Sequence, residues 1–168
     1  MNNSQITFVY FPEDPIGIFN CSIYLDSIIN DTDDTINANQ NNSFTILGVS
    51  EAKHNWTVSC ADVFPDFNLF KVSESNFTLD LTSPNITLNS PGNNTNTLRM
   101  VEFNISAADN FDTNINCSIY IDGNLNVSNI NVSNGSSSIS TISGHSLGIH
   151  TWNVSCLDDA LNTGWSNK

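Results

Sequence analysis

Basic residues are almost missing from this chain. Four Lys plus Arg stand against seventeen Asp plus Glu in 168 residues, a formal net charge of −13 at neutral pH. No basic patch exists to release counterions from a phosphate backbone, which argues against nucleic acid as a partner. The same balance disfavours attraction to an anionic membrane surface. Charge of either sign is sparse, at 12% of residues. The polar surface is therefore mostly Asn, Ser and Thr, and uncharged solvation dominates over any salt adaptation. Long apolar runs are missing too. None approaches a membrane span, so direct membrane insertion is not expected, and Met1-Asn-Asn-Ser-Gln-Ile6 lacks the basic start and apolar stretch of a secretion signal. Helical periodicity and Cys-x-x-Cys spacing are also absent, which removes helix bundles and thiolate metal sites from consideration.

What is present is a repeat. Asn20-Cys-Ser-Ile-Tyr-Leu-Asp26 returns as Asn116-Cys-Ser-Ile-Tyr-Ile-Asp122, and Trp56-Thr-Val-Ser-Cys60 returns as Trp152-Asn-Val-Ser-Cys156. Both pairs lie about 96 positions apart, so one small module is written twice, over residues 1–82 and 83–168. Two cysteines per repeat at identical separation read as disulfides, Cys21 to Cys60 and Cys117 to Cys156, in an oxidising compartment; free buried thiols in a reducing one are the alternative. Asn-x-Ser/Thr acceptors stand at Asn2, Asn20, Asn30, Asn41, Asn55, Asn76, Asn85, Asn93, Asn104, Asn116, Asn126, Asn131, Asn134 and Asn153. Composition alone would generate roughly six, so the excess favours glycan acceptors over chance. Disulfides and sequons together imply an extracellular or cell-surface glycoprotein.

Alternating apolar and polar residues between Asn, Gly, Ser and Pro clusters predict short strands throughout. In the second repeat these fall at Asn85–Leu88, Leu98–Ser106, Ile115–Ile121, Leu125–Val132, Ser138–Ile142 and Ile149–Leu157, with a tight turn at Asp122-Gly123-Asn124. In the first they fall at Ile6–Phe11, Phe19–Leu25, Ser43–Leu47, His54–Ala61 and Phe77–Leu81, with an ambiguous stretch from Ser27 to Ala38. Units of this length with strands so spaced describe two antiparallel β-sandwiches. Cys117, Ile119 and Ile121 share one strand face, and Trp152, Val154 and Cys156 share another, so the cysteines point with the apolar set. Against the second repeat the first lacks an opening strand, and against the first the second lacks a closing one. An excerpt of a longer array accounts for both; a filament subunit completed by a neighbour's strand is the rival.

The pattern Asn-Cys-Ser-Ile-Tyr-Ile-Asp-Gly, then Trp152-x-Val-x-Cys156-x-Asp158 followed by Ala160-x-Asn162 and Gly164, resembles tandem immunoglobulin-like repeats of large prokaryotic surface proteins, especially archaeal adhesin-like ones. The motif is fairly specific in the second repeat and looser in the first, where Asp62-Val-Phe-Pro-Asp66-Phe-Asn68 replaces the usual loop and the segment 30–42 is expanded. The resemblance implies a non-catalytic stalk or display role, with neighbouring repeats, subunits, and surface or matrix components as partners. Only Asn76 and Asn104 carry the acid two residues upstream that bacterial glycosylation usually requires, which favours an archaeal source.

No catalytic arrangement emerges. His54 and His150 hold one repeat position, two before each Trp, and His145 lies in a Gly/Ser loop; no Ser-His-Asp or Cys-His set can be drawn. No cofactor is required. Acidic loops at one pole of the sandwich supply the single metal candidate, Ca²⁺ on Asp109, Asp112, Asp158, Asp159 and Asn162, with Asp14, Asp62, Asp66 and Glu13 at the matching pole of the first repeat. Such an ion would stiffen a domain junction, but turn formation explains the same residues more simply and is preferred. Asp31-Thr-Asp-Asp34 reads as a solvated turn. Trp56 and Trp152 alternate in phase with the cysteines and are expected in the core rather than as carbohydrate platforms, whereas Phe64 and Trp165 fall in pole loops as exposed contacts. Two alternatives to a spacer stand: a glycan-binding module of a secreted protein, and a self-assembling fibre subunit using edge strands.

Overall fold

The computed structural model describes residues 4–63, 68–71 and 74–167. Phe64, Asp66 and the Asn2 acceptor lie outside them. All regular structure among the described residues is β-strand. The chain divides into two compact units, Met1–Leu79 and Asp80–Lys168. Asp80 and Leu81, which the strand pattern had suggested closing the first repeat, therefore belong to the second.

In the first unit the strands are β1 (Gln5–Tyr10), β2 (Ile18–Leu25), β3 (Ile28–Asp33), β4 (Asn42–Leu47), β5 (Ala52–Asp62), β6 (Leu69–Lys71) and β7 (Ser75–Leu79). One sheet is β1 against β4; the other runs β3-β2-β5-β6, with β7 also on β5. Their inner faces meet in one core of Phe8, Tyr10, Phe44 and Ile46 from the first sheet and Cys21, Ile23, Val58 and Cys60 from the second. The ambiguous stretch after Ser27 is the strand β3, paired along β2.

The second unit comprises β8 (Asn85–Ser90), β9 (Met100–Ala108), β10 (Asn114–Ile121), β11 (Asn124–Ser133), β12 (Ser137–Ser143), β13 (Trp152–Leu157) and β14 (Thr163–Trp165). Its sheets are β12-β9-β8 and β11-β10-β13-β14, all pairs antiparallel. Alternation decides which residues go inward: Val101, Phe103, Ile105 and Ala107 on β9 face Ile115, Cys117, Ile119 and Ile121 on β10, and Val154 with Cys156 on β13 completes the core. Ile119 and Val154 are fully buried, each contributing roughly 1.5–3 kcal/mol relative to exposure. The architecture is the pair of all-β antiparallel sandwiches that the periodicity predicted, immunoglobulin-like as the resemblance implied, with one disulfide in each unit.

Both disulfides join neighbouring strands of one sheet. Cys21 lies directly opposite Cys60 across β2 and β5, with Cα atoms 4.0 Å apart, and Cys117 opposite Cys156 across β10 and β13, at 4.1 Å. Antibody domains instead link one sheet to the other. Here the cross-link fixes strand register within one sheet, and the packed cores hold the two sheets of each unit together.

Each β2–β3-type hairpin closes through two residues at positive φ: Asp26 and Ser27 (51° and 67°), and Asp122 and Gly123 (51° and 79°). This is the turn that twisted antiparallel strands favour. The strand β14 had not been expected, since three residues ending in Gly-Trp carry little alternation. It forms because Gly164 lets the chain run against the start of β8: a Cβ built there would stand 2.0 Å from the Pro84 carbonyl oxygen. Backbone cannot yield as a flexible side chain would. Gly164→Ala is therefore expected to destabilise the second unit by roughly 1–3 kcal/mol, seen as a lower thermal midpoint for that unit alone in calorimetry; an unchanged midpoint would contradict the close approach.

Candidate cation site

Aspartates with different tasks surround the sandwiches. Asp26 and Asp122 begin the paired hairpin turns. Asp26 accepts the Asn55 N–H on Oδ1 (2.9 Å), and its Oδ2 lies 2.7 Å from His54 Nδ1. The second unit repeats this with Asp122, Thr151 N–H (2.9 Å) and His150 Nδ1 (2.6 Å). The other ring nitrogen faces a carbonyl in each case, Ser50 at 2.9 Å and Ser146 at 3.2 Å. A carboxylate and a carbonyl both accept, so the ring satisfies both only as a doubly protonated imidazolium. The carbonyl of Ser50 and the Asp26 carboxylate raise the His54 pKa, against opposing burial; the Asp122 carboxylate and the Ser146 carbonyl raise that of His150. The two histidines are thus structural clasps between turn and strand.

A different group of acids gathers in the second unit. Asp109 opens the β9–β10 loop, its Oδ1 accepting the N–H groups of Phe111 (3.0 Å) and Asp112 (3.4 Å). Asp158 opens the β13–β14 loop, with Oδ1 accepting the Asn162 N–H at 2.7 Å. Asp80, before β8, accepts the Thr82 N–H at 3.0 Å. One carboxylate oxygen from each of Asp80, Asp109, Asp112 and Asp158 lies within 4.8 Å of all the others. Burial, with the carboxylates of Asp159, Asp109 and Asp158 nearby, pushes the Asp112 pKa up, partly offset by the Asp159 N–H at 3.3 Å. Such a set of oxygens, drawn from three segments, has the chemistry of a hard divalent cation site.

Of the residues proposed from sequence, Asp109, Asp112 and Asp158 come together. Asp159 is exposed, and its contact with the group is its backbone N–H. Asn162 braces the site instead, donating Nδ2 to the Asp80 carbonyl at 3.2 Å. Sequence reasoning missed Asp80 because the repeat boundary was drawn after it. It also missed Asn134, read there only as a glycan acceptor: its Nδ2 donates to the carbonyls of Asp109 and Asp112, 2.6 Å each, and its Oδ1 accepts the Asp109 N–H. The Asn134-Gly135 turn signal was the available clue. Glu13 is exposed and outside the group.

Among the other acceptors, Asn30, Asn41, Asn76, Asn85, Asn93, Asn116, Asn126 and Asn131 are exposed, and Asn20, Asn55, Asn104 and Asn153 are half-buried. Trp56 and Trp152 pack on the two cores, their rings 5.0 Å from Phe8 and Phe103 respectively. Trp165 is 57% exposed and lies 5.2 Å from the Tyr120 ring.

This arrangement of strands is shared with a solved structure, the fibronectin(III)-like modules of Clostridium thermocellum CbhA. The TM-score is 0.53 at 14% identity, over 96% of this chain and 82% of that one. The likeness shows the fold. No family model and no curated protein matches the chain. In the second sandwich the pole that holds the acids is built by loops β9–β10 and β13–β14, while the His–Asp clasps close the β2–β3 and β10–β11 hairpins.

The clasps set a pH dependence. A histidine whose folded pKa lies above its ordinary 6.5 stabilises fully below 6.5, and that contribution is lost as pH rises through the folded value. His54 and His150 also lower the pKa of Asp26 and Asp122 from 3.8, so the carboxylate contribution is present above 3.8 and lost as pH falls below it. Thermal midpoints followed by calorimetry should fall between pH 6 and pH 9. His54→Gln should flatten that decline in the first unit and His150→Gln in the second; a decline unchanged in both variants would remove the clasps as its cause.

Proposed function

We propose that the chain is a non-catalytic segment of an extracellular or cell-surface protein, serving as a stalk or display spacer. The observation that carries this reading is the duplication of one covalent staple. Two near-copies of a module hold their disulfides at equivalent pairs of opposed residues, and an Asn-, Ser- and Thr-rich surface surrounds them. The fold shared with modules of CbhA supports modular use here. Both clasp histidines are engaged in holding turns, which supports a structural over a catalytic role. Exposed sequon asparagines support glycan attachment as shielding against proteolysis and self-association. Partners in this reading are further modules or subunits and surface or matrix components.

The mechanical role has a measurable signature. Each disulfide encloses a sequence separation of 39, so stretching an oxidised unit cannot extend that segment. Reduction should lengthen each unfolding step by roughly 130 Å, from about 3.3–3.6 Å per residue. Single-molecule pulling of the intact chain before and after a reductant reads this directly. Exposed Trp165, set against the half-buried Tyr120 ring, is the feature a carbohydrate-binding module would use. A spacer predicts no Trp165-dependent retention on a glycan array; binding that Trp165→Ala abolishes would replace the spacer with a binding module.

A further inference from the structure

We propose that the second unit, and not the first, binds one calcium ion through Asp80, Asp109, Asp112 and Asp158. Four carboxylates with ligand oxygens within 4.8 Å of one another match the geometry of calcium. Calcium takes six to eight oxygens and accepts several carboxylates at once, whereas magnesium usually keeps several waters and is held by one or two carboxylates. The ligand set is all oxygen, which disfavours zinc and other softer metals.

An acidic cluster alone would not carry this, since Asp is a common turn residue. The decisive group is Asp158, only 4% exposed. Its Oδ1 is engaged by the Asn162 N–H, while Oδ2 is buried with no hydrogen-bond partner. Oδ2 of Asp109 is likewise buried and unpartnered. Among the described residues no Lys, Arg or His forms an ion pair with Asp109, Asp112 or Asp158. Buried carboxylate oxygens are costly to leave without a donor or cation, and two of these four clustered aspartates hold one.

The first unit supplies an internal comparison. Asp14 holds the N–H groups of Ile16 and Gly17 on Oδ1, as Asp109 holds those of Phe111 and Asp112. Gly17 thus stands where Asp112 does, and one ligand is gone. Asp62 holds the Asn68 N–H on Oδ1 as Asp158 holds that of Asn162, but its Oδ2 accepts Asn68 Nδ2 at 3.2 Å. In the second unit the equivalent Asn162 turns its Nδ2 to the Asp80 carbonyl instead, and Oδ2 of Asp158 stays open. One loop frame closes on itself; the other is left open to an ion. Bound calcium would tie the entry to β8, the β9–β10 loop and the β13–β14 loop into one rigid end.

The test is calcium titration of the intact, chelator-treated chain by calorimetry, with magnesium as the competing probe. One calcium per chain is expected, with magnesium at least tenfold weaker. Asp158→Asn and Asp112→Asn should each weaken calcium at least tenfold, while Asp62→Asn leaves it unchanged. NMR of the unaltered chain locates the ion without relying on variants that fold: calcium should shift amides of residues 109–113 and 158–162, not 14–17 or 62–68. No uptake at millimolar calcium, full affinity in folded Asp158→Asn and Asp112→Asn, or shifts confined to the first unit would each overturn the proposal.

Discussion

A covalent bond between two neighbouring strands, made twice, is the constraint on which the remaining structure hangs. Each disulfide closes a loop with a sequence separation of 39, contributing about 4 kcal/mol in the chain-entropy picture. A module of this size has a total stability on the order of 5–15 kcal/mol, so the bond is a large share of it. Because Cys21 opposes Cys60 and Cys117 opposes Cys156 within one sheet, the bond also fixes register. Slippage by one residue would turn Ile23 and Val58, or Ile119 and Val154, from core to solvent. The Trp56 and Trp152 positions follow from the same register, four residues before each second cysteine and on the same face.

The two units diverge around this shared frame, and the divergence is local. Their hairpin turns carry the same aspartate at positive φ, clasped by the same histidine. Where the second unit has Gly123 the first has Ser27, which holds a left-handed conformation without glycine's freedom. At the acidic pole the backbone hydrogen bonds are conserved between units while the side chains are not. Gly17 replaces Asp112, and the Asn68 amide closes what Asn162 leaves open. Duplicated modules can thus keep a scaffold and differ in what its loops take up.

Period-two alternation made the sandwich architecture legible in the sequence, because the buried stripe on β9, β10 and β13 alternates without interruption. The cysteine positions, two per repeat at one separation, marked both covalent links. What escaped were features set by contacts distant in the chain. β14 depends on Gly164 meeting Pro84, and Asp80 joins the acidic group across more than seventy residues to Asp158. Asn134 clamps the β9–β10 loop from the turn after β11, a role its sequon concealed. β3 was ambiguous because most of its side chains are exposed, so no buried stripe marks it.

Peptide mapping without reduction, on chain secreted by a host with an oxidising export route, measures the central claim most directly. Each unit stapled within itself predicts two cross-linked peptide pairs, Cys21 with Cys60 and Cys117 with Cys156, and no free thiol. Four free thiols, or a bond joining a cysteine of one unit to one of the other, would contradict the register, the paired cores and the extracellular reading together.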